Sequence, residues 1–187
     1  MNATHYTFLI LVIYGVILLG ALVIQVLLLV SSIVGLKTKV PFVPSGNSVV
    51  RKMIEFAGLR DGDTVYDIGC GDGRLLFEAR KHANVEAFGF EIMPLPFVWA
   101  KLRAWWTRDP KIHILFQNFF EASIHDADVV FCYLMPETLE ACKPKFQKEL
   151  SPKALIVSHD FQIPGWKPFQ IEKISTYKTI YLYHIPQ

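Results

Sequence analysis

The sequence predicts an α/β protein: one N-terminal transmembrane helix, then a doubly wound, mostly parallel sheet of seven strands, of which the last two form an antiparallel C-terminal hairpin. Two observations predict this class. An uncharged apolar run opens the 187-residue chain. After it, short apolar segments alternate with helix-like ones, which is typical of a parallel sheet covered on both faces. The length that remains suits one domain with its own core.

The apolar run predicts a membrane anchor over residues 1–36. No Asp, Glu, Lys or Arg occurs from Thr7 to Leu36, and about 20 apolar residues suffice to cross a hydrocarbon core of ~30 Å. A cleaved signal peptide would have a basic segment before a shorter apolar core. A helix packed in a globular protein would have a polar face. We therefore expect a single-pass anchor.

Flanking charge predicts the orientation of this anchor. Lys37, Lys39, Arg51 and Lys52 follow the span, whereas only His5 could carry positive charge before it. Because cytoplasmic flanks carry the excess of Lys and Arg, the N-terminus is expected outside and the domain in the cytoplasm.

Composition narrows the class of partner. The formal net charge of +2 is too small to indicate nucleic acid. Cys70, Cys132 and Cys142 cannot all pair, and none has zinc-ligand spacing. We expect reduced core thiols, which favour a reducing compartment, and neither a nucleic-acid partner nor a metal.

A juxtamembrane linker is expected over residues 37–48, where Pro41 and Pro44 interrupt any continuing helix. The domain follows over residues 49–187, beginning with a helix that Asn47 or Ser48 could cap. Further helices are predicted for Arg74 to about Ala83, Pro94–Thr107, and Pro136 to about Leu150 with a break or kink at Pro144. The predicted strands are Thr64–Ile68, Glu86–Glu91, Ile112–Gln117, Ala127–Leu134, Ala154–Asp160, Phe169–Ile174 and Thr179–Ile185.

A glycine-rich turn, residues 69–73, follows the first strand, where a doubly wound sheet binds its ligand. A dinucleotide site has the pattern G-x-G-x-x-G, but here Arg74 stands where the third glycine would fall. No Lys followed by Ser or Thr completes a P-loop either. The carboxylate of Asp67 would repel a diphosphate and suits a cation, such as the ammonium or sulfonium end of S-adenosylmethionine (SAM). Glu91, at the end of the second strand, could accept hydrogen bonds from two ribose hydroxyls.

These motifs resemble a known family. "VYDIGCGDGR" is similar to motif I of the Rossmann-like, seven-strand SAM-dependent methyltransferases, and "GFEIMP" to the acidic motif that follows it. With the leading apolar span, "VPFVPSG" (Val40–Gly46), "LMP" (Leu134–Pro136) and "FQIPGW" (Phe161–Trp166), the chain most resembles the membrane-anchored ATP synthase c-subunit lysine methyltransferase family and its prokaryotic relatives.

The resemblance implies SAM as cofactor and a set of residues around it. These are Asp67, Gly69, Gly71 and Gly73 against the methionine and ribose portions, Glu91 on the ribose, Asn118 facing the adenine amine, and Ser45 as part of a lid. The alternative for "VPFVPSG" is that its prolines merely end the membrane helix. No Arg-rich, Ser-rich transit peptide is present, so a prokaryotic plasma membrane is favoured over the mitochondrial inner membrane.

In this architecture the ends of the fourth and fifth strands border the methyl group. They carry Tyr133 and Glu137, then His159 and Asp160, which are the candidate catalytic residues. Each has a structural alternative: Tyr133 as a core aromatic, Glu137 as a first-turn helix residue, and the other two as ordinary strand-end polar residues.

The expected function is SAM-dependent N-methylation of a lysine on a membrane-associated protein. Alternatives are methylation of a lipid head group or small lipophilic molecule, a non-catalytic SAM-binding membrane module, and, last, a NAD-dependent reductase. The adjacent Trp105 and Trp106 cannot both face the core, so one of them could lie at a lipid interface.

Overall fold

A computed structural model of the chain describes residues 3–38 and 45–186. The helices are α1 Ala3–Thr38, α2 Asn47–Ala57, α3 Arg74–His82, α4 Pro94–Thr107 and α5 Pro136–Glu149. The strands are β1 Thr64–Ile68, β2 Glu86–Glu91, β3 Ile112–Phe116, β4 Val129–Cys132, β5 Leu155–His159, β6 Gln170–Ser175 and β7 Lys178–His184. A 3₁₀ turn, Phe119–Glu121, follows β3.

The seven strands form one sheet in the order β3-β2-β1-β4-β5-β7-β6. The first five are parallel, while β7 pairs antiparallel with both β5 and β6. This confirms the predicted fold class. The chain reverses its direction of travel across the sheet between β1 and β4, and the crevice beyond their carboxyl ends is where such a sheet binds ligands.

Two apolar layers cover the sheet. Because strand side chains alternate between faces, Val129 and Phe131 belong to the layer under α2 and α3, and Val130 and Cys132 to the layer under α5. All three cysteines are free and buried, as expected of core thiols.

Two local expectations were wrong. Helix α2 has Gly46 as its N-cap and no side-chain cap, because Asn47 and Ser48 already lie inside its first turn. Of the break or kink expected at Pro144, the break is absent, since helix α5 runs through this residue. Both Pro144 and Glu140, whose carbonyl loses its hydrogen-bond donor, are exposed, so water can serve that carbonyl instead.

Helix α1 contains one stretch, His5–Leu36, that is long and apolar enough to cross a membrane. Most of it touches nothing else in the described residues, but Leu27, Ser31, Val34 and Gly35 are half-buried. These positions share one helix face, and that face packs on α4. Most of the "VPFVPSG" element, residues 40–44, lies outside the described residues.

Candidate active site

The turn after β1 has a backbone that requires its glycines. Gly69, Gly71 and Gly73 have φ angles of 84°, 57° and 73°, in the left-handed region that other residues rarely adopt. At Gly73 a Cβ would also lie 3.0 Å from the ring of Phe77. The turn therefore brings bare backbone to the carboxyl end of the sheet.

A fourth glycine, Gly89 in β2, was not singled out from the sequence. A Cβ there would lie 2.7 Å from Cys70 Sγ and 2.6 Å from a methyl of Leu76. The missing side chain thus lets the turn close against β2. The available signal was a glycine inside a buried strand, which often marks a close approach.

The carboxylate of Glu91 is fixed by backbone. Its Oε2 accepts a hydrogen bond from Gly71 N at 2.8 Å, and its Oε1 accepts from Ile92 N at 2.8 Å and Met93 N at 2.7 Å. Burial raises its pKa, and these three donors oppose that rise. Glu91 thus holds the glycine turn against the end of β2, and it also lines a cavity at this end of the sheet. Its remaining lone pairs could accept further hydrogen bonds from a ligand.

Asp67 is the most strongly perturbed acid of the site. It is 7% exposed, and no described residue donates a hydrogen bond to its carboxylate. Burial, then the nearby charges of Glu91 and Asp72, raise its pKa to about 8. A nearby cation or hydrogen-bond donor stabilises the charged form of a buried carboxylate, and the ammonium group of a ligand would supply both.

Arg74, which stands where a dinucleotide-binding turn would have its third glycine, makes several contacts around the turn. Its guanidinium makes a bidentate pair with Asp72, with contacts of 2.9 and 2.7 Å, and donates to Ser45 O at 2.7 Å. Partial burial acts to raise the pKa of Asp72, but the hydrogen bonds from Arg74 outweigh it and lower the pKa. Arg74 therefore fastens Ser45 to the glycine turn.

These groups surround a cavity of about 690 Å³ at the ends of β1, β2 and β4. Its volume lies in the range of cofactor pockets, ~300–1,000 Å³. The polar rim carries Ser45, Asp67, Glu91 and Asn118, and the apolar walls are formed by Ile68, Ile92, Met93, Phe119 and Leu134. A buried acid beside an apolar slot fits the charged and aromatic ends of SAM.

Three of the four catalytic candidates meet in one cluster with Ser45. Ser45 Oγ lies 3.1 Å from His159 Nδ1, the ring centroids of Tyr133 and His159 are 4.1 Å apart, and His159 Nε2 lies 3.2 Å from Asp160 Oδ2. That last pair is close without the alignment of a hydrogen bond. Ser45 and Tyr133 line the cavity, and His159 is buried behind them.

Asp160 also has a structural function in this cluster. It adopts a left-handed φ of 61°, its N–H donates to Thr179 O, and its Oδ1 accepts from Thr179 N. Asp160 therefore joins β5 to β7 at the level of the cavity.

The fourth catalytic candidate, Glu137, and the cofactor candidate Asn118 lie apart from the cluster. Glu137, in the first turn of α5, is exposed and forms part of the cavity wall. Asn118 also lines the cavity, but its Oδ1 accepts a hydrogen bond from Phe120 N at 3.2 Å and caps the 3₁₀ turn. Its acceptor oxygen thus has a local partner already. Among residues 3–38 and 45–186, no cluster of His, Cys, Asp and Glu side chains could hold a metal ion.

Comparisons with known proteins agree with this geometry. A family model described as the ANTKMT methyltransferase domain matches residues 67–170. A protein-lysine N-methyltransferase of Saccharolobus islandicus is 40% identical over 78% of this chain and 94% of its own length. The adenine nucleotide translocase lysine N-methyltransferase of Mus musculus is 30% identical over 74% of this chain, which spans 60% of that protein.

A human ATP synthase c-subunit lysine N-methyltransferase is 27% identical over 71% of this chain, which spans 56% of that protein. Among solved structures, an RNA methyltransferase from Salinibacter ruber in complex with S-adenosyl-L-homocysteine has a TM-score of 0.74 and 32% identity. The structural match covers 78% of this chain and 95% of that protein. The cavity, the glycine turn and these matches together show that the chain belongs to the ANTKMT methyltransferase domain family and is a SAM-dependent methyltransferase.

Proposed function

We propose that the chain is a membrane-anchored N-methyltransferase that modifies a lysine side chain of a protein in or at the membrane. The observation that carries the acceptor class is the 40% identity, over 78% of the chain, to a protein-lysine N-methyltransferase. The mouse and human relatives are also named for lysine methylation, of the adenine nucleotide translocase and of the ATP synthase c-subunit.

The anchor in this proposal is α1. Its apolar stretch of 32 residues exceeds the ~20 residues that a bilayer core requires. Contact with α4 supports a retained helix over a removed signal sequence, since Leu95 N donates a hydrogen bond to Ser31 Oγ at 3.0 Å. The cationic residues 37, 39, 51 and 52 favour the cytoplasmic side of a prokaryotic plasma membrane for the domain.

Methylation of an amine places two demands on the protein. The nucleophile must approach within ~3–3.5 Å in a dry site, and a lysine, with a reference pKa near ~10.4, must first lose a proton. When bound, SAM supplies an electrophilic methyl group on its sulfonium. Tyr133 and Leu134 give the cavity an apolar wall, which favours the neutral amine of an incoming lysine.

The cluster at Ser45 offers a path for the released proton. Burial lowers the pKa of His159; the charge of Asp160 acts against this and that of Lys178 adds to it. Its imidazole is therefore neutral near pH 7. We assign the proton to Nε2, facing Asp160, so that Nδ1 accepts from the Ser45 hydroxyl. The Ser45 oxygen then faces the cavity as an acceptor: it takes a proton from the lysine ammonium as its own hydroxyl proton passes to Nδ1.

A labelling assay tests the proposal. Purified full-length protein in detergent is given SAM with a labelled methyl group and membranes from a strain that lacks this gene. We expect label on lysine of a discrete protein band. At a SAM concentration below the native dissociation constant, Asp67→Asn should strongly reduce the label, and Asp61→Asn, which changes an exposed turn carboxylate, should leave it. Gly71→Arg gives a second, sterically blocked site.

Other acceptors would be recognised in the same experiment. Label in the lipid extract would overturn the protein acceptor and establish the lipid alternative. Label in an RNA fraction would do the same in favour of the acceptor that the Salinibacter ruber protein is named for.

A further inference from the structure

Helix α4 exposes an apolar stripe. Trp99, Leu102 and Trp106 have exposed fractions of 61%, 52% and 81%. Their spacing of three and four residues places them on one helix face. The adjacent Trp105 is 69% exposed, whereas Trp166, the fourth tryptophan of the chain, is 9% exposed. Contiguous exposed apolar surface of this kind marks an interaction site.

This stripe, which we call the α4 stripe, is continuous with α1. A groove of about 1,150 Å³ lies between the two helices beside their contact. It is lined by Trp99 and Leu102 of α4 and by Leu28, Ser32 and Leu36 of α1. Trp106 extends the stripe by one further turn.

The bare length of α1 sets the level of the bilayer surface. All residues from 5 to 26 are exposed, and the half-buried face begins at residue 27. These 22 residues span about 33 Å at 1.5 Å per residue, which matches a hydrocarbon core of ~30 Å. A hydrocarbon core of that thickness around residues 5–26 would end where α4 begins to contact α1, and would place the start of α4 at the lipid head groups.

The composition of α4 suits that level. Tryptophan is enriched at membrane–water interfaces. Helix α4 contains Lys101 and Arg103 and no Asp or Glu, and the carboxylate that follows, Asp109, is paired with Arg80 at 2.8 Å. Such a surface attracts anionic head groups. A transmembrane segment of an acceptor protein is the weaker alternative, since helix contacts in membranes favour small side chains over tryptophan.

We propose that the α4 stripe lies in the head-group layer of the bilayer that α1 crosses, so that α4 is a second membrane contact. This inference rests on the proposed anchor and adds to it a fixed position of the domain against the lipid surface.

Tryptophan quenching in vesicles tests the proposal. The full-length protein is reconstituted into phosphatidylcholine–phosphatidylglycerol vesicles with or without bromine on the upper acyl chain. We expect bromine to remove most of the emission of the native protein. A Trp99→Phe/Trp105→Phe/Trp106→Phe variant, which retains only the buried Trp166, should lose little. Retained SAM binding and an unchanged melting profile show that the variant is folded.

The outcomes separate the α4 proposal from the anchor. Flotation of the vesicles in a density gradient measures membrane attachment separately. A protein that floats with the vesicles but whose tryptophan emission is not quenched by bromine keeps the anchor and overturns the α4 contact. A protein that does not float overturns both. As an independent measurement, p-benzoylphenylalanine in place of Leu102 should crosslink to lipid; a discrete crosslinked protein would instead identify the stripe as a protein-docking surface and overturn the proposal.

Discussion

Asp67 and Glu91 are two buried acids whose carboxylates differ in their hydrogen-bond partners. Glu91 accepts hydrogen bonds from three backbone donors, whereas no described residue donates a hydrogen bond to the carboxylate of Asp67. Their position at the cavity was predictable from the sequence, because each sits at a fixed offset from the glycine turn. The contact of Ser45 with His159 was not, since these residues are 114 positions apart and only the folded sheet brings them together.

Asp67→Asn should weaken SAM binding and stabilise the free enzyme. A hydrogen bond to a charged group contributes ~1.5–3 kcal/mol, so we expect SAM affinity to fall about tenfold to a hundredfold. The amide also removes a buried charge, which should raise the melting temperature at pH 8. Calorimetry and thermal melts measure the two effects, and Asp61→Asn should change neither.

The pH dependence of the free enzyme follows from the same group. The folded pKa of Asp67, about 8, lies above its unfolded value near ~3.9, so its stabilising contribution is complete below pH ~4 and is lost as pH rises through 8. Cation binding requires the ionised form. SAM affinity should therefore increase with pH, by at most about tenfold per unit for one proton, and level off above pH 8. A flat profile between pH 6 and 8 would contradict the cation role.

His159→Ala tests the proton path. We expect kcat to fall about a hundredfold, as for loss of a general base, with the dissociation constant of SAM nearly unchanged. Because the pKa of His159 lies below its ordinary value, the native rate should rise with pH at a midpoint below ~6.5, and this acid limb should vanish in the variant. His125→Ala, at an exposed loop position, is the control. Equal losses in rate and SAM affinity would indicate a structural role instead.

At the scale of elements, strand positions were the most predictable feature. β1, β2 and α4 begin and end at the residues that the sequence predicts, because apolar runs and flanking turn residues mark their ends. The helix-breaking residues were less informative. Pro144 was accommodated because it faces solvent. At the start of α2, the carbonyl of Gly46 accepts hydrogen bonds from the N–H groups of Val49 and Val50, and no side-chain pattern can show such a backbone contact.

Pro144→Ala should therefore stabilise the domain. The substitution restores an N–H for the carbonyl of Glu140 and removes the ring from the helix interior. We expect a gain of about 1–3 kcal/mol and a higher melting temperature in detergent. Gln147→Ala, another exposed position of α5, is the matched control. An unchanged or lower melting temperature would mean that the proline's restriction of the unfolded chain dominates.

At the scale of the whole molecule, the orientation across the membrane is testable because all three native cysteines are buried. An impermeant maleimide should label Asn2→Cys in intact cells. It should label Tyr177→Cys, at a turn residue that is 89% exposed, only after lysis. The positive charge that follows α1 predicts this pattern. The reverse pattern would place the catalytic domain outside.

In the proposed membrane-anchored form, the packing of α1 on α4 would change how the enzyme searches for its substrate. A domain on a flexible tether samples a volume above the membrane, but a domain mounted on its own anchor moves only by sliding and spinning in the plane of the lipid. Every turn of the molecule then presents the methyl donor at one height. Lysines at that distance from the membrane surface would encounter the active site repeatedly, whereas lysines at other distances on the same protein would not reach it. The rigid attachment would therefore select the position of the modified lysine as well as raise its effective concentration.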